Sequence, residues 1–175
     1  IYDQPYGDRN EFPCPDRLCS CTITDSDYKN TCKGQSLEVF DTVYEAKQHL
    51  NFKPQLPSGL EGLRPVHVSI VDHDVLQVVY AYNELLKGAY YDSVDDMPKY
   101  IKYRVSTLSG NIAGDYKDYL SQKTDVVNGM TVTYRMVDDA VYLASWEHEG
   151  QNHVFLFNEP VSVERARELI NGVKY

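Results

Sequence analysis

Between Val126 and Asn158 the chain alternates runs of strand-forming residues with short turn signals, and no other stretch limits its fold so tightly. Asn128-Gly129 is the strongest of these signals. A type I′ turn needs positive φ at both central residues, and Asn and Gly tolerate it best. Val126-Val127 and Met130–Val137 flank the pair with β-branched and aromatic residues. Asp138-Asp139 then turns the chain into Ala140–Glu147, and Glu149–Asn152 turns it into His153–Asn158. Four strands joined in order by short turns predict an antiparallel meander. Pro160 has no N–H to offer a ladder and is expected to stop the last strand.

A second set of strands precedes the first. Val66, Val68 and Ile70 alternate with His67 and Ser69, Asp72-His73-Asp74 supplies a turn, and Val75–Tyr82 returns. Tyr100–Thr107 reads as a further strand. Between these strands, Asn83–Lys87 suits a helical turn and Asp92–Pro98 an acidic loop. Residues 108–122 read as loop, with a helical turn over Asp115–Leu120. Thr42 and Glu45 have capping-box spacing, and Val43, Ala46 and Leu50 share a helical face, which predicts a helix over Thr42–Leu50. Leu56–Gly59 and Arg64-Pro65 break the chain after it. Ser162 is a good N-cap for a terminal helix with the apolar stripe Val163, Ala166, Leu169, Ile170 and Val173. An antiparallel sheet with one apolar face needs a cover, and the helices supply it. The fold class is α+β: a meander packed against an N-terminal and a C-terminal helix, forming one domain over residues 37–175.

Residues 1–36 differ from the rest in composition. Pro, Asp, Ser, Asn and Cys dominate them without periodicity, so they read as an irregular arm. All four cysteines lie here: Cys14, Cys19, Cys21 and Cys32. A Cys19–Cys21 bridge is sterically poor. Two disulfide pairings remain open, Cys14–Cys19 with Cys21–Cys32 or Cys14–Cys21 with Cys19–Cys32. A four-cysteine zinc site is the rival, but the segment lacks the paired C-x-x-C spacing of zinc knuckles. Disulfides imply an oxidising compartment. The first residue is Ile1 and no apolar leader follows it, which agrees with a removed targeting segment or an ectodomain excised from an upstream anchor. An extracytoplasmic location, secreted or anchored at the cell surface, is therefore expected. No 18-residue apolar run is present, so no membrane insertion is expected within the chain.

Acids outnumber bases 26 to 17, for a net charge of −9. Without a Lys/Arg cluster, neither nucleic acid nor anionic lipid is an expected partner. The sequence contains no nucleophile elbow, P-loop, dinucleotide fingerprint or H-E-x-x-H, so it points to no cofactor and no catalytic residue. His148 and His153 flank the Glu149–Asn152 turn. If that turn closes a hairpin, their Cβ atoms would lie opposite at roughly 5 Å, the start of a metal site. Glu147 and Glu149 would project from the other face. Asp92, Asp95 and Asp96 lack the glycine and closing glutamate of a calcium loop and read as solvated acid.

Tyrosine is the remaining lead: 15 residues, against five Phe and one Trp. Tyr80, Tyr82, Tyr90, Tyr91, Tyr100, Tyr103, Tyr134 and Tyr142 lie in or beside predicted strands. Alternation places Tyr80 with Tyr82 on one face, Tyr134 with Met136, and Tyr142 with Ala144 and Trp146. Such rings form either the rim of a core or a binding face for peptide or sugar.

Glu45-Ala46-Lys47, Asn51-Phe52-Lys53 and Leu56-Pro57 precede the first hairpin. Val127–Val132, Ala144–Glu147 and His153–Phe155 precede the Ser-capped helix. In this order the chain resembles a family of extracytoplasmic domains of unknown function from Gram-positive bacteria, whose members often follow lipoprotein or anti-sigma-factor-like membrane anchors. The cysteine arm departs from that pattern. The resemblance implies a non-catalytic accessory or sensory domain binding a protein, peptide or envelope component. A secreted hydrolase or metal-dependent enzyme using His148, His153 and Asp72 is the alternative.

Overall fold

A computed structural model of the protein describes residues 20–22, 31–33 and 36–175, save 59 and 116, with the backbone alone for the first two segments. The chain divides after Ser36 into two units. In the first, Ser20–Thr22 (β1) pairs antiparallel with Thr31–Lys33 (β2), and the backbone of Cys21 lies opposite that of Cys32. Cys14 and Cys19, the side chains of Cys21 and Cys32, and most of the expected arm lie outside the described residues.

In the second unit, one antiparallel sheet collects eight strands: Leu37–Phe40 (β3), Leu63–Val71 (β5), Val75–Tyr82 (β6), Tyr100–Ser106 (β7), Ser121–Val127 (β8), Met130–Val137 (β9), Ala140–His148 (β10) and Gln151–Val161 (β11). Their order across the sheet is β3-β5-β6-β7-β11-β10-β9-β8. Each hairpin sits where turn chemistry directs it. Asn128 and Gly129 have φ of 51° and 78°, the Asp72-His73 turn has 48° and 68°, and Asp138 has 52°. Two meanders result, β5-β6-β7 and β8-β9-β10-β11, joined where β7 pairs with β11 from Asn152↔Ser106 to Phe157↔Ile101.

Three departures from the sequence reading have local causes. Pro160 does not end β11, because it falls between Leu156 and Val161, where β11 has no registered partner on β10 and a missing N–H breaks no ladder bond. β8 has the polar sequence SQKTDVV and carries no apolar alternation at its start, since it is an exposed edge strand that, among the described residues, pairs only with β9. The described residues of 115–120 are irregular rather than helical. β3 lies at the other edge. A two-residue ladder, Leu56–Pro57 (β4) with Val173–Lys174 (β12), ties the end of the chain to the segment before β5.

The helices cover one face. Val43–Lys47 (α1) is a single turn shorter than the expected helix, with the Thr42 hydroxyl accepting from the Glu45 N–H at 3.1 Å. Val163–Asn171 (α2) starts where the Ser162 hydroxyl accepts from the Arg165 N–H at 3.1 Å. Ala46, Ala166, Leu169 and Ile170 bury against Ile70, Leu76, Tyr103, Tyr134, Trp146 and Phe155 in the main core. Full burial of each large side chain contributes about 1.5–3 kcal/mol. Gly172 ends α2 against Leu60, where a Cβ would meet the Leu60 side chain at 2.9 Å, so no larger residue fits without moving it.

The Asn128-Gly129 turn offers a direct check. A Cβ on Gly129 would meet no atom within 4 Å. Gly129→Val should therefore destabilise by backbone strain alone, about 1–3 kcal/mol, read as a lowered midpoint in chemical denaturation.

Candidate functional site

The helix-facing side of the sheet ends in a polar cluster. The β10–β11 turn is tighter than the sequence suggested: Glu149 and Gly150 adopt φ of 49° and 77°, and His148 pairs with Gln151. His153 therefore lies opposite Trp146, and the two histidines are not a cross-strand pair. They still converge, because both approach one amide oxygen. Gln55 Oε1 lies 3.0 Å from His153 Nε2 and 3.3 Å from His148 Nδ1. Glu149 sits in the turn itself, not on the opposite face, and accepts from Gln55 Nε2 at 3.5 Å.

Every side of His153 is occupied. Its ring stacks on Trp146 at 5.1 Å and 7°, and the Tyr103 hydroxyl lies 2.7 Å from its Nδ1 and 2.8 Å from the Gln55 carbonyl, with its single proton in reach of either. Tyr175 closes the edge, its ring 3.9 Å from that of His148 and its hydroxyl accepting from Trp146 Nε1 at 2.8 Å. Gln151 straps the Gln55 segment down, accepting from the Gln55 N–H at 3.0 Å and donating to the Lys53 carbonyl at 2.9 Å. His153 is fully buried. Burial, with a smaller contribution from His148, pushes its pKa down to about 4. This cluster is a polar joint built around a buried imidazole.

The opposite face of the sheet is built differently. Ser69, Gln77 and Arg104 occupy adjacent register positions on β5, β6 and β7. Gln77 Nε2 donates to the Ser69 hydroxyl at 3.2 Å, and Arg104 Nε donates to Gln77 Oε1 at 2.8 Å. Arg104 Nη1 then donates to the Ile112 and Ala113 carbonyls at 3.1 and 2.8 Å. The buried guanidinium thus pins the β7–β8 connection across the sheet, and Ile112 and Ala113 pack there with Val71, Val75, Leu143 and Val154.

Beside the pinned connection lies a cleft of about 390 Å³. Tyr100 and Lys102 from β7, Tyr119 and Lys117 from the connection, and Tyr142 from β10 line it. Tyr142 reaches it through a β-bulge: the pairing of β10 with both neighbours shifts register between Val141 and Leu143. A bulge places two successive residues on one face. Tyr142 joins Leu143 on the open side, while Val141 and Ala144 remain in the main core. The Tyr119 and Tyr142 rings sit 6.1 Å apart, and the Tyr119 hydroxyl donates to Asp115. Burial, reinforced by Asp115, holds the Tyr119 phenol well above the usual range. Lys102 is half-buried on the cleft floor, and desolvation lowers its pKa, with Asp95 opposing and Arg104 adding to the shift. No described carboxylate lies within ion-pair distance of it.

The chain matches no known protein family, no curated protein and no solved structure.

The tyrosines thus take several different places. Tyr80, Tyr103 and Tyr134 are core, Tyr90 is 89% exposed, and Tyr100, Tyr119 and Tyr142 face the cleft. Period-two alternation placed Tyr142 with Ala144 and Trp146, and the bulge overturns that. Asp92, Asp95 and Asp96 surround a short 3-10 turn, where the Asp96 carboxylate accepts from the Ser93 N–H at 2.9 Å. Asp72 lies in the β5–β6 turn, two strands from β11, and does not join the histidines. Among the described residues, no three His, Cys, Asp or Glu side chains gather as metal ligands, and no helix is long and apolar enough to cross a membrane. Arg104 was missed, although the alternation of Lys102, Arg104 and Ser106 with Ile101, Tyr103 and Val105 shows a polar strand face. Lys117 and Tyr119 carry no such signal, because only the path of the connection over the sheet brings them to the cleft.

Two measurements test these assignments. An unfolded histidine titrates near 6.5, while native His153 resists protonation to about 4. The neutral joint therefore stabilises the fold fully above about pH 6.5, and that stability is lost as pH falls to about 4, on the order of 3 kcal/mol. Denaturant midpoints across this window should show the loss in wild type and a much flatter profile in His153→Phe. Arg104→Leu should cost about 2–4 kcal/mol by leaving Gln77 and two carbonyls without a donor, and should raise amide exchange over residues 108–119.

Proposed function

We propose that this is a non-catalytic extracytoplasmic accessory or sensory domain that binds a protein, peptide or envelope component in the tyrosine-lined cleft. The observation that carries the reading is the bulge at Tyr142, which takes a ring out of the core pattern and sets it against Tyr119 above Lys102. Flat rings with polar tips favour a ligand with an apolar or sugar face. A partly desolvated ammonium without a described carboxylate partner favours an acidic group beside that face. The cleft is open, and its one described hydroxyl–carboxylate pair, Tyr119 with Asp115, holds the Tyr119 ring in place beside Tyr142. His153, which the hydrolase alternative would use, is buried against Trp146 and Tyr103, and Asp72 lies apart from it, which favours binding over that alternative.

Extracytoplasmic placement rests on the sequence, through the clustering of Cys14, Cys19, Cys21 and Cys32 and the resemblance to Gram-positive extracytoplasmic domains. Disulfides within the arm belong to the same proposal.

Panels of peptides and of envelope polysaccharides, screened against the full chain, supply the test. A ligand that binds wild type should lose about tenfold or more in affinity with Tyr142→Ala and with Lys102→Gln, while both variants melt as wild type does. Undiminished affinity in both would place the ligand elsewhere.

A further inference from the structure

The outer edge of β8 is complementary to itself, and we propose that two copies of the chain associate there, β8 against β8, antiparallel and centred on Thr124. β8 is the terminal strand on its side of the sheet and runs against β9 from Ser121 to Val127 without a register shift. Ser121 to Thr124 are exposed, and Val126 is 62% exposed.

Hydrogen-bond parity identifies which groups face outward. In a two-residue hairpin the pair flanking the turn exchanges both backbone hydrogen bonds, here Val127 with Met130. Counting back, Asp125, Lys123 and Ser121 also turn their backbone groups toward β9. Gln122, Thr124 and Val126 direct theirs to the free edge. The Val126 N–H agrees, since its acceptor is the Asp125 carboxylate at 2.8 Å.

These three outward residues are symmetric about Thr124. A two-fold axis there sets Thr124 opposite its copy and Gln122 opposite Val126, so the outward N–H and C=O groups of the two strands face one another, the Val126 N–H exchanging the Asp125 carboxylate for the Gln122 carbonyl of the second copy. The intervening positions then place Lys123 opposite Asp125 of the second copy, at the closer, non-hydrogen-bonded spacing. The neighbouring symmetric registers fail on charge: one sets Lys123 against Lys123, the other Asp125 against Asp125. A lysine on an edge strand ordinarily discourages pairing. With Asp125 two residues on, it instead selects one register. Asp125 is already turned to the helix-covered side by Arg167 at 3.1 Å and the Tyr134 hydroxyl at 3.4 Å. The resulting contact is isologous and closes on itself as a dimer.

The mass of the full chain in solution tests this, by sedimentation equilibrium across the micromolar range at physiological ionic strength. Wild type should show a concentration-dependent doubling of mass. Lys123→Glu should weaken association by at least about tenfold, because symmetry places two like-charge pairs in the interface. Adding Asp125→Lys to that variant should restore it. Thr124→Pro removes one outward N–H without touching the β9 ladder and should also yield monomer with an unchanged melt. A wild-type mass of one chain at the highest concentration overturns the proposal, as does a dimer that survives both Lys123→Glu and Thr124→Pro.

Discussion

Everything in the sheet depends on the pairing of β7 with β11. The hairpins on either side form from neighbours in sequence, but this ladder joins strands about fifty residues apart and bears the loop-closure entropy of the fold. Its two faces hold the groups that make that closure favourable. On the helix side, Tyr103 meets His153 by a hydrogen bond and Phe155 by ring contact. On the open side, Arg104 sits opposite Val154 and gathers the connection that leads away from β7. One strand pair therefore seals the core and lays the floor of the cleft.

The buried polar groups are arranged to avoid the usual penalty of burial. Gln77 and Ser69 pass hydrogen bonds along one row to Arg104, whose Nη1 reaches the Ile112 and Ala113 carbonyls of the crossing segment. His153 is neutral and enclosed by rings, and Gln55 serves two imidazoles with one oxygen. Both arrangements use a long-range partner, and both hold an irregular segment against regular structure.

The sequence shows clearly whatever is local. Asn128-Gly129, Asp72-His73 and Ser162 each act through their own backbone or the next few residues, and their elements appear where expected. β8 was hidden because an edge strand needs no apolar alternation, and Pro160 misled because its meaning depends on whether a partner needs its N–H. The cleft was half legible. Tyr100, Lys102 and Tyr142 stand in recognisable strands, but Lys117 and Tyr119 arrive only through the tertiary path of a loop.

The bulge in β10 shows how little sequence separates a core ring from a surface ring. One additional residue between Val141 and Ala144 breaks the two-step count, so positions before it and after it keep their faces while Tyr142 changes sides. A change in strand length, rather than in residue type, is sufficient to move an aromatic from interior to exterior. Insertions and deletions within β10 would thus remodel the open face while leaving the helix-covered layer intact, a route to new ligands that substitution alone does not provide.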